Sequence, residues 1–333
     1  MSHKNILLIC GGGGSEHAIS LVSAKFIKNN LEQLGEYNIH YMEITPDGNR
    51  MNENGDLLEL KKGGHLFNLK TNEEYKLHFA IPCFHGSPGE NGQIQAMFEL
   101  MELPYLGCGL EASTLCFNKI STKLWFDALK IANAPYLFLD DLDKDNLDSA
   151  TRFFKKYKKV YVKASSQGSS IGCYFIEEEK ELESAIKNAF ELSPYVLIEN
   201  YIQGRELEIA VYENNNEIIA TLPGEIVCPT QFYDFDQKYS SESKVVTYVE
   251  AKNISAEQSQ SMKLIAIKAF KALKLKHLSR VDFFLSNDGE IYLNEINTFP
   301  GMTPISMFPK MMENNKQSFS LFLKNIIDSN IRK

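Results

Sequence analysis

The chain of 333 residues is 44% hydrophobic and 23% charged, which is typical of a globular protein and excludes a disordered or fibrous one. Its formal net charge of −8 argues against a nucleic-acid partner, because affinity for a polyanion depends on clustered lysines and arginines. No apolar run reaches the roughly 20 residues that cross a bilayer, and the start lacks a signal-peptide pattern. We therefore expect a cytoplasmic protein without a membrane partner, whose six scattered cysteines are reduced core thiols.

The first hundred residues alternate between strand-like and helix-like patterns. Helical periodicity predicts helices over 15–34 and 93–101, and apolar runs predict strands over 5–10, 38–44 and 79–84. Strands that are separated by helices pair in parallel sheets. The pattern predicts an open parallel α/β domain over residues 1–109.

After a predicted helix over 120–132, the strands follow one another more closely. The strands at 160–164 and 172–176 are separated only by a short Gly/Ser loop, which predicts a hairpin. Further patterns predict helices over 180–191 and 257–274, and strands over 195–199, 207–213, 217–221, 280–285 and 290–297. We predict a small central α+β domain over 110–199 and a largely antiparallel C-terminal α+β domain over 200–333.

Acidic and amide side chains recur in the last predicted hairpin. Glu295 and Asn297 are two residues apart and project from one face of their strand. A turn of either two residues (288–289) or four (286–289) would place Asp282 on that face. These hard oxygen ligands suit Mg²⁺, which binds few protein groups and keeps positions for phosphate oxygens and water. The alternative is a solvated sheet face with unrelated polar residues.

A second candidate site is the loop that joins the strands of the central hairpin. Lys163 ends the first strand, and the loop that follows contains Gly168, Ser169 and Ser170. Glycines let backbone N–H groups approach an anion, and the lysine adds a positive charge nearby. The loop could cover phosphates, although it lacks the G-x-x-x-x-G-K-[ST] motif, and an ordinary hairpin loop remains the alternative.

Four glycines at 11–14 follow the first strand and suggest a nicotinamide-dependent dehydrogenase. The G-x-G-x-x-G fingerprint of that class fails, because Glu16 or His17 falls where the third glycine is required. Glu16 then has two interpretations, a helix-capping carboxylate and a site residue.

Several other candidates are weak when each is considered alone. A histidine at a strand end is more often satisfied locally than catalytic, and a lysine is usually solvated. The residues concerned are His85, Lys119, Lys238 with Tyr239, and Gly301 with Ser306.

Taken in chain order, these segments resemble the D-alanine–D-alanine ligases of the ATP-grasp superfamily from about Asn5 to Pro309. The similar segments are Ser15–Leu21, His85-Gly86 with Gly89–Gly92, Asn118-Lys119, Lys163 with Gln167–Gly172, Lys238-Tyr239, Ser279–Asp282 and Asn294–Thr303. The resemblance implies an ATP-grasp architecture made of the three predicted domains. It also implies a Mg²⁺- or Mn²⁺-dependent enzyme that joins two D-alanine molecules with ATP for peptidoglycan synthesis, and it implies a homodimer.

The resemblance assigns a role to each candidate residue. It implies that Glu16, Ser169 and Tyr239 form a hydrogen-bonded trio, and that Arg280 and the Gly301 backbone stabilise an oxyanion. The implied nucleotide-binding residues are Lys119, Lys163, Ser170, Glu199, Glu206 and Lys238. The implied substrate-binding residues are His85, Ser306 and Met307, and the implied metal ligands are Asp282, Glu295 and Asn297.

Three positions bear on specificity within this family. Ala164 and Asn200 depart from the proline and lysine that are common there, and both lie near the implied nucleotide site. Tyr239 favours an amine as the second nucleophile, because related ligases that use D-lactate tend to replace this tyrosine. Ligation of D-alanine to D-lactate or D-serine remains the alternative reaction, and a nucleotide-binding regulator without catalysis is the alternative of another class.

Overall fold

The computed structural model describes residues 3–215, 217–228 and 245–331. The helices in this part are α1 (His17–Glu32), α2 (Gln93–Leu100), α3 (Leu110–Phe117), α4 (Lys119–Ala128), α5 (Lys144–Tyr157), α6 (Glu179–Phe190), α7 (Ala256–Ala272), α8 (Met307–Asn314) and α9 (Phe319–Asn330). None of the helices in these ranges is both long and apolar enough to span a membrane.

The N-terminal sheet contains β1 (Lys4–Gly11), β2 (Tyr37–Ile44), β3 (Arg50–Met51) and β7 (Phe79–Cys83), in the order β3-β2-β1-β7. The strand β1 pairs in parallel with both β2 and β7, as the alternating pattern predicted. Because parallel strands end at the same edge, the loops that carry Glu16 and His85 lie side by side.

A three-stranded antiparallel sheet follows β3 and was not predicted from the sequence. It contains β4 (Leu58–Lys61), β5 (His65–Asn68) and β6 (Glu74–Lys76), and each strand is too short to give a clear periodic signal. Its apolar face packs with Phe98 of α2 against the N-terminal sheet.

The central sheet has the order β10-β9-β11-β8, and its strands pair antiparallel. The strands are β8 (Tyr136–Leu139), β9 (Val160–Ala164), β10 (Cys173–Ile176) and β11 (Val196–Asn200). The predicted β9–β10 hairpin is confirmed, with Lys163 directly opposite Cys173. The loop of this hairpin therefore lies at the end of the sheet where Lys163 lies.

The C-terminal sheet is antiparallel, as predicted, and has the order β15-β14-β12-β16-β17, with β13 also paired to β12. Its strands are β12 (Gly204–Asn214), β13 (Glu217–Ala220), β14 (Gly224–Val227), β15 (Val246–Tyr248), β16 (Leu278–Ser286) and β17 (Ile291–Asn297).

The β16–β17 hairpin corrects the predicted turn. Ser286 still pairs with Glu290, so the loop has three residues, and Gly289 supplies the positive φ of 86° that such loops use. A loop of odd length alone would have moved Asp282 out of register with Glu295. A bulge beside Asp282 restores the pairing, so that the predicted shared face is present.

One hydrophobic core joins the two ends of the chain. Residues of β1 and α1 pack with Tyr212 of the C-terminal sheet and with Phe308 and Phe322 of α8 and α9. The N-terminal sheet is therefore held against the C-terminal sheet, and the edge that carries Glu16 faces β16 and β17.

A buried histidine also connects these two regions. The Gly107 backbone N–H donates to Nδ1 of His277 over 3.0 Å, and the His277 backbone N–H donates to the Glu213 carboxylate over 3.0 Å. Burial lowers the pKa of His277 to about 4. The imidazole is therefore neutral in the folded protein at neutral pH.

We expect the stability of the fold to decrease between pH 6.5 and pH 4. The pKa of His277 is lower in the folded state, so its contribution is complete above the ordinary value of 6.5 and is lost as the pH falls to about 4. The loss is on the order of 3 kcal/mol of unfolding free energy. Chemical denaturation at several pH values would measure it.

The His277→Asn variant is the control for this pH dependence. Asparagine tolerates the φ of 62° at this position, and its carbonyl oxygen can accept the Gly107 N–H without titrating. A variant with the same pH slope as the original protein would rule out His277 as the source.

Candidate functional site

A cavity of about 680 Å³ lies where the N-terminal, central and C-terminal sheets meet. Its lining includes most of the side chains that the sequence singled out, from all parts of the chain. These residues are Glu16, His85, Lys119, Lys163, Ser169, Ser170, Glu206, Arg280, Asp282, Glu295, Asn297, Gly301, Ser306 and Met307. Of the remaining candidates, Glu199 lies behind the wall of the cavity, and Lys238 and Tyr239 lie outside the described residues.

A row of three carboxylates crosses the floor of the cavity. Glu208, Asp282 and Glu295 are direct neighbours on β12, β16 and β17. The Arg280 guanidinium donates two hydrogen bonds of 2.8 and 2.7 Å to the Asp282 carboxylate, and its Nε lies 3.2 Å from a Glu208 carboxylate oxygen. The Asn297 amide donates to Asp282 over 2.9 Å. Arg280 and Asn297 thus hold Asp282 in place, and the three predicted metal ligands lie together on this face of the sheet.

The charge of this row indicates what it can bind. Three carboxylates and one guanidinium leave a net charge of −2 at neutral pH. Such a charge beside a phosphate site would repel the phosphates unless a cation lies between them. Within the described ranges, no three His, Cys, Asp or Glu side chains are grouped so as to hold a metal by themselves. Asp282, Glu295 and the Asn297 amide oxygen therefore fit an ion that completes its shell with ligand oxygens, as Mg²⁺ does.

Glu16 lies at the junction between the N-terminal sheet and the Gly/Ser loop. The hydroxyl of Ser169 donates to its Oε1 over 2.5 Å, and Glu16 is only 8% exposed. Glu16 begins α1 without making a side-chain cap, so the capping interpretation is wrong. Two glycines make room for this carboxylate, because a Cβ at Gly86 or Gly168 would lie 2.7 or 3.3 Å from its Oε2.

We expect the Gly86→Ala substitution to reduce activity about 100-fold by displacing the Glu16 carboxylate, since small misplacements in a site have effects of this size. The added methyl group would lie 2.7 Å from Oε2, and Gly86 has a φ of 65° that alanine rarely adopts. Steady-state rates measure the effect. Gly14→Ala is the matched control, because its Cβ would lie 3.5 Å from the Ser87 carbonyl oxygen, at ordinary contact distance. Equal rates in both variants would contradict the assignment.

The Gly/Ser loop itself has a constrained backbone. Ser169 and Ser170 have φ values of 51° and 62°, a region that residues other than glycine seldom adopt. The bond from Ser169 to Glu16 and the hydrogen bond from Ile171 to Gly168 hold the loop in this conformation. These hydrogen bonds and the left-handed backbone at Ser169 and Ser170 together define the shape of the loop.

Two lysines extend from the central part of the chain into the cavity. Lys119 begins α4 and its Nζ donates to the carbonyl oxygen of Gln167 in the Gly/Ser loop. Lys163 forms an ion pair with Glu199, which is 3% exposed. The side chain of Glu199 thus contacts lysines, so any contact with the base or ribose of a nucleotide must come from its backbone. Glu206, two strands from Glu295, lines the cavity wall.

Burial changes the protonation of two side chains near Glu16. It lowers the pKa of His85, whose Nε2 lies 2.8 Å from the Ser23 hydroxyl. It raises the pKa of Glu90 well above its usual range, and the neighbouring Glu16 adds to this effect. At neutral pH the imidazole of His85 is therefore neutral, and the protonated form of the Glu90 carboxyl group is favoured relative to a solvated glutamate.

Gly301 and Ser306 lie on the loop after β17. A Cβ at Gly301 would approach the Ser306 hydroxyl to 2.9 Å, so this position requires the absence of a side chain. The Thr303 N–H donates to that hydroxyl over 3.0 Å. Ser306 precedes the first turn of α8, which begins at Met307, without making a side-chain cap. Its hydroxyl and the N-terminus of the helix therefore both face the cavity, where a carboxylate would be favoured.

Three residues that support the site were not identified from the sequence. Glu208 could have been identified from its position in the sequence, since it lies two residues after Glu206 and therefore projects from the same face of β12. No sequence pattern indicated Lys123 or Thr303. Lys123 acts through its ion pair with Glu199 and Thr303 through its hydrogen bond with Ser306, and both contacts depend on the fold. All six cysteines are free thiols, as predicted, but only Cys10, Cys83, Cys108 and Cys116 are buried. Cys173 and Cys228 are partly exposed, and Cys173 lines the cavity.

Comparison with known proteins identifies the family. The family "D-ala D-ala ligase N-terminus" matches residues 5–108, and "D-ala D-ala ligase C-terminus" matches residues 125–328. The chain belongs to the D-alanine–D-alanine ligase family. A D-alanine–D-alanine ligase of Shewanella piezotolerans is 50% identical over 331 residues, which cover 99% of each chain.

Solved structures of this family agree with the fold. A D-alanyl-alanine synthetase A from Vibrio cholerae is 45% identical, covers 99% of both chains and superposes with a TM-score of 0.94. The VanG D-Ala:D-Ser ligase from Enterococcus faecalis is 28% identical, covers 98% of this chain and 99% of that chain, and has a TM-score of 0.86. The predicted fold class, an ATP-grasp architecture of α/β and α+β parts, is confirmed. These relatives do not support a nicotinamide-dependent dehydrogenase.

Proposed function

We propose that this protein joins two D-alanine molecules into D-alanyl-D-alanine with ATP, as a step in making peptidoglycan precursors. The observation that carries the proposal is the acidic row beside the Gly/Ser loop and two lysines, all in one cavity. A nucleotide's phosphates require the lysines and the loop, and a divalent cation requires the carboxylates. Curated relatives of up to 50% identity that are named for this ligation supply the substrate.

The nucleotide and metal are assigned to the residues that fit them. Lys119, Lys163 and the Ser169–Ser170 backbone hold the phosphates, with Glu199, Glu206 and Lys238 completing the nucleotide site. Asp282, Glu295 and Asn297 hold Mg²⁺ or Mn²⁺, which neutralises phosphate charge when it is bound.

The reaction divides into two steps. A carboxylate oxygen of the first D-alanine attacks the terminal phosphorus of ATP, the bond to ADP breaks, and an acylphosphate forms. The uncharged amine of the second D-alanine then attacks the acyl carbon, phosphate leaves, and the amine proton is lost to a base near Glu16. Arg280 and the Gly301 N–H stabilise the oxyanion that develops on the acyl oxygen.

The substrates are positioned by groups around this centre. Ser306 and the first turn of α8 at Met307 bind the carboxylate of the second D-alanine, with the neutral His85 beside the first. By the family resemblance, Glu16, Ser169 and Tyr239 act together as one hydrogen-bonded trio. Exclusion of water from the site protects the acylphosphate from hydrolysis.

The choice of second substrate is tested by competition. With D-alanine alone we expect ATP-dependent phosphate release and dipeptide, and D-lactate or D-serine added at equal concentration should give little mixed product. Release that requires D-lactate or D-serine would instead support the alternative ligase. Greater identity to the D-alanine–D-alanine ligases than to the D-Ala:D-Ser ligase favours the first outcome.

We further infer a cytoplasmic homodimer from the family resemblance. A cytoplasmic location provides ATP and the precursor pool, and sedimentation at micromolar concentration would measure the oligomeric state. A monomer under these conditions would overturn the dimer without affecting the chemistry.

A further inference from the structure

Lys123 lies directly behind the proposed phosphate site. It is one helical turn after Lys119 on α4, so the two side chains leave the same face of the helix. Lys119 lines the cavity, whereas Lys123 does not and has a side chain that is 2% exposed. A buried lysine of this kind requires partners for its charge.

The ammonium group of Lys123 lies within contact distance of three oxygen atoms, one through an ion pair and two through hydrogen bonds. Glu199 Oε1 is 2.5 Å away, Asn133 Oδ1 is 3.2 Å away and the Ala134 carbonyl oxygen is 3.3 Å away. The ring of Tyr136 packs against the same group, 5.2 Å from its centroid. These contacts hold Lys123 in one orientation toward Glu199.

Glu199 connects Lys123 to Lys163. One carboxylate oxygen pairs with each lysine, and the carboxylate is 4% exposed. Burial alone would raise the pKa of Glu199, but the two lysines lower it to about 2. The cluster of Lys123, Glu199 and Lys163 therefore contains two positive charges and one negative charge, a net charge of +1 beside the cavity.

We propose that Lys123 is a positioning residue for nucleotide binding, which shares the Glu199 carboxylate and so leaves the positive charge of Lys163 available to phosphates. Without Lys123, Glu199 would pair with Lys163 alone, and that pair would be neutral. Attraction between the wall of the cavity and a polyanionic ligand would then be lost. The inference rests on the proposed function, since it assumes that Lys163 faces the phosphates.

The test compares a charged ligand with an uncharged one. In Lys123→Met we expect the affinity for ATP, measured by calorimetry, to fall about tenfold, while the affinity for adenosine stays within about twofold. The KM for ATP should rise in parallel, with little change in the KM for D-alanine. If the affinities for ATP and adenosine fell equally, Lys123 would have a merely structural role. The same conclusion would follow if kcat and the melting temperature fell while both affinities stayed unchanged.

Two further variants separate charge from packing. Combining Lys123→Met with Glu199→Gln leaves Lys163 as the only charge of the cluster, so the preference for ATP over adenosine should recover. Lys268→Met is the matched control, because it removes an exposed lysine that donates to the carbonyl oxygen of Leu129 just after α4. Failure of the double variant to recover the preference, or an equal loss in the control, would overturn the proposal.

The test remains decisive if Lys123→Met does not fold. Glu199→Gln alone raises the net charge of the cluster to +2, so it should increase the preference for ATP over adenosine, and a decrease would contradict the proposal. Binding is measured without turnover. A protein whose affinity for ATP depends on Lys123 but which makes no dipeptide would therefore refute the proposed function and not this inference.

Discussion

Glu295→Gln should reduce D-alanine-dependent ADP formation by roughly 10³-fold, because removing a metal-binding carboxylate removes several kcal/mol of transition-state stabilisation. Glu295 faces the cavity at the end of the acidic row, opposite Asp282. The substitution keeps the size of the side chain and removes one negative charge. Steady-state rates at saturating ATP, D-alanine and Mg²⁺ measure the effect.

The control for this experiment lies in the same hairpin. Glu290→Gln makes the same chemical change at an exposed position beside the hairpin loop and should leave activity unchanged. Both variants should melt within a few degrees of the original protein, since neither side chain belongs to the core. Asp282→Asn should also inactivate the protein, but it additionally replaces one of the two acceptors of Arg280 with an amide donor. Full activity in Glu295→Gln would contradict the magnesium assignment.

Arg280→Lys should lower kcat by about 10²- to 10³-fold, the range found when one oxyanion donor is removed. The guanidinium donates twice to Asp282 and lies beside Glu208, and these contacts raise its pKa well above the usual range although burial opposes them. A lysine keeps the charge but cannot reproduce the planar two-pronged geometry. Single-turnover rates would separate a slower chemical step from weaker binding.

Arg205 offers a matched comparison for Arg280. It also forms a two-pronged pair with a carboxylate, Glu225, on the same sheet, but it does not line the cavity. Arg205→Lys should therefore cost stability without lowering kcat. If the two variants lost kcat equally, the effect at Arg280 would be structural and the oxyanion role would be wrong.

The sequence predicted the parts of the fold that have strong periodic signals. The strands β1, β2 and β7 are apolar runs separated by helices, so their parallel pairing could be predicted. The Gly/Ser loop between β9 and β10 is too short for a crossover, so the antiparallel pairing of these two strands could also be predicted. The short strands β4–β6 lacked such a signal. The helices α5 and α9, with 14 and 12 residues, were also passed over, although α5 begins with a capping aspartate, Asp143.

The part of the site that lies on one face of the β16–β17 hairpin could be predicted from the sequence. Asp282, Glu295 and Asn297 could be placed together because side chains alternate along strands, and the bulge at Asp282 preserved that result even though the turn length was wrong. The contact of Glu199 with two lysines was not predictable, because it joins α4, β9 and β11 through tertiary packing. A residue that acts by positioning another side chain through a tertiary contact leaves no local sequence pattern.

The most direct test of the account follows oxygen from substrate to product. D-alanine labelled with ¹⁸O in its carboxylate is incubated with the protein, ATP and Mg²⁺, and the products are analysed by mass spectrometry. We predict D-alanyl-D-alanine and inorganic phosphate that carries one ¹⁸O per dipeptide, because the labelled oxygen bridges carbon and phosphorus before phosphate leaves. Dipeptide with unlabelled phosphate, or ATP hydrolysis without dipeptide, would contradict ligation through an acylphosphate.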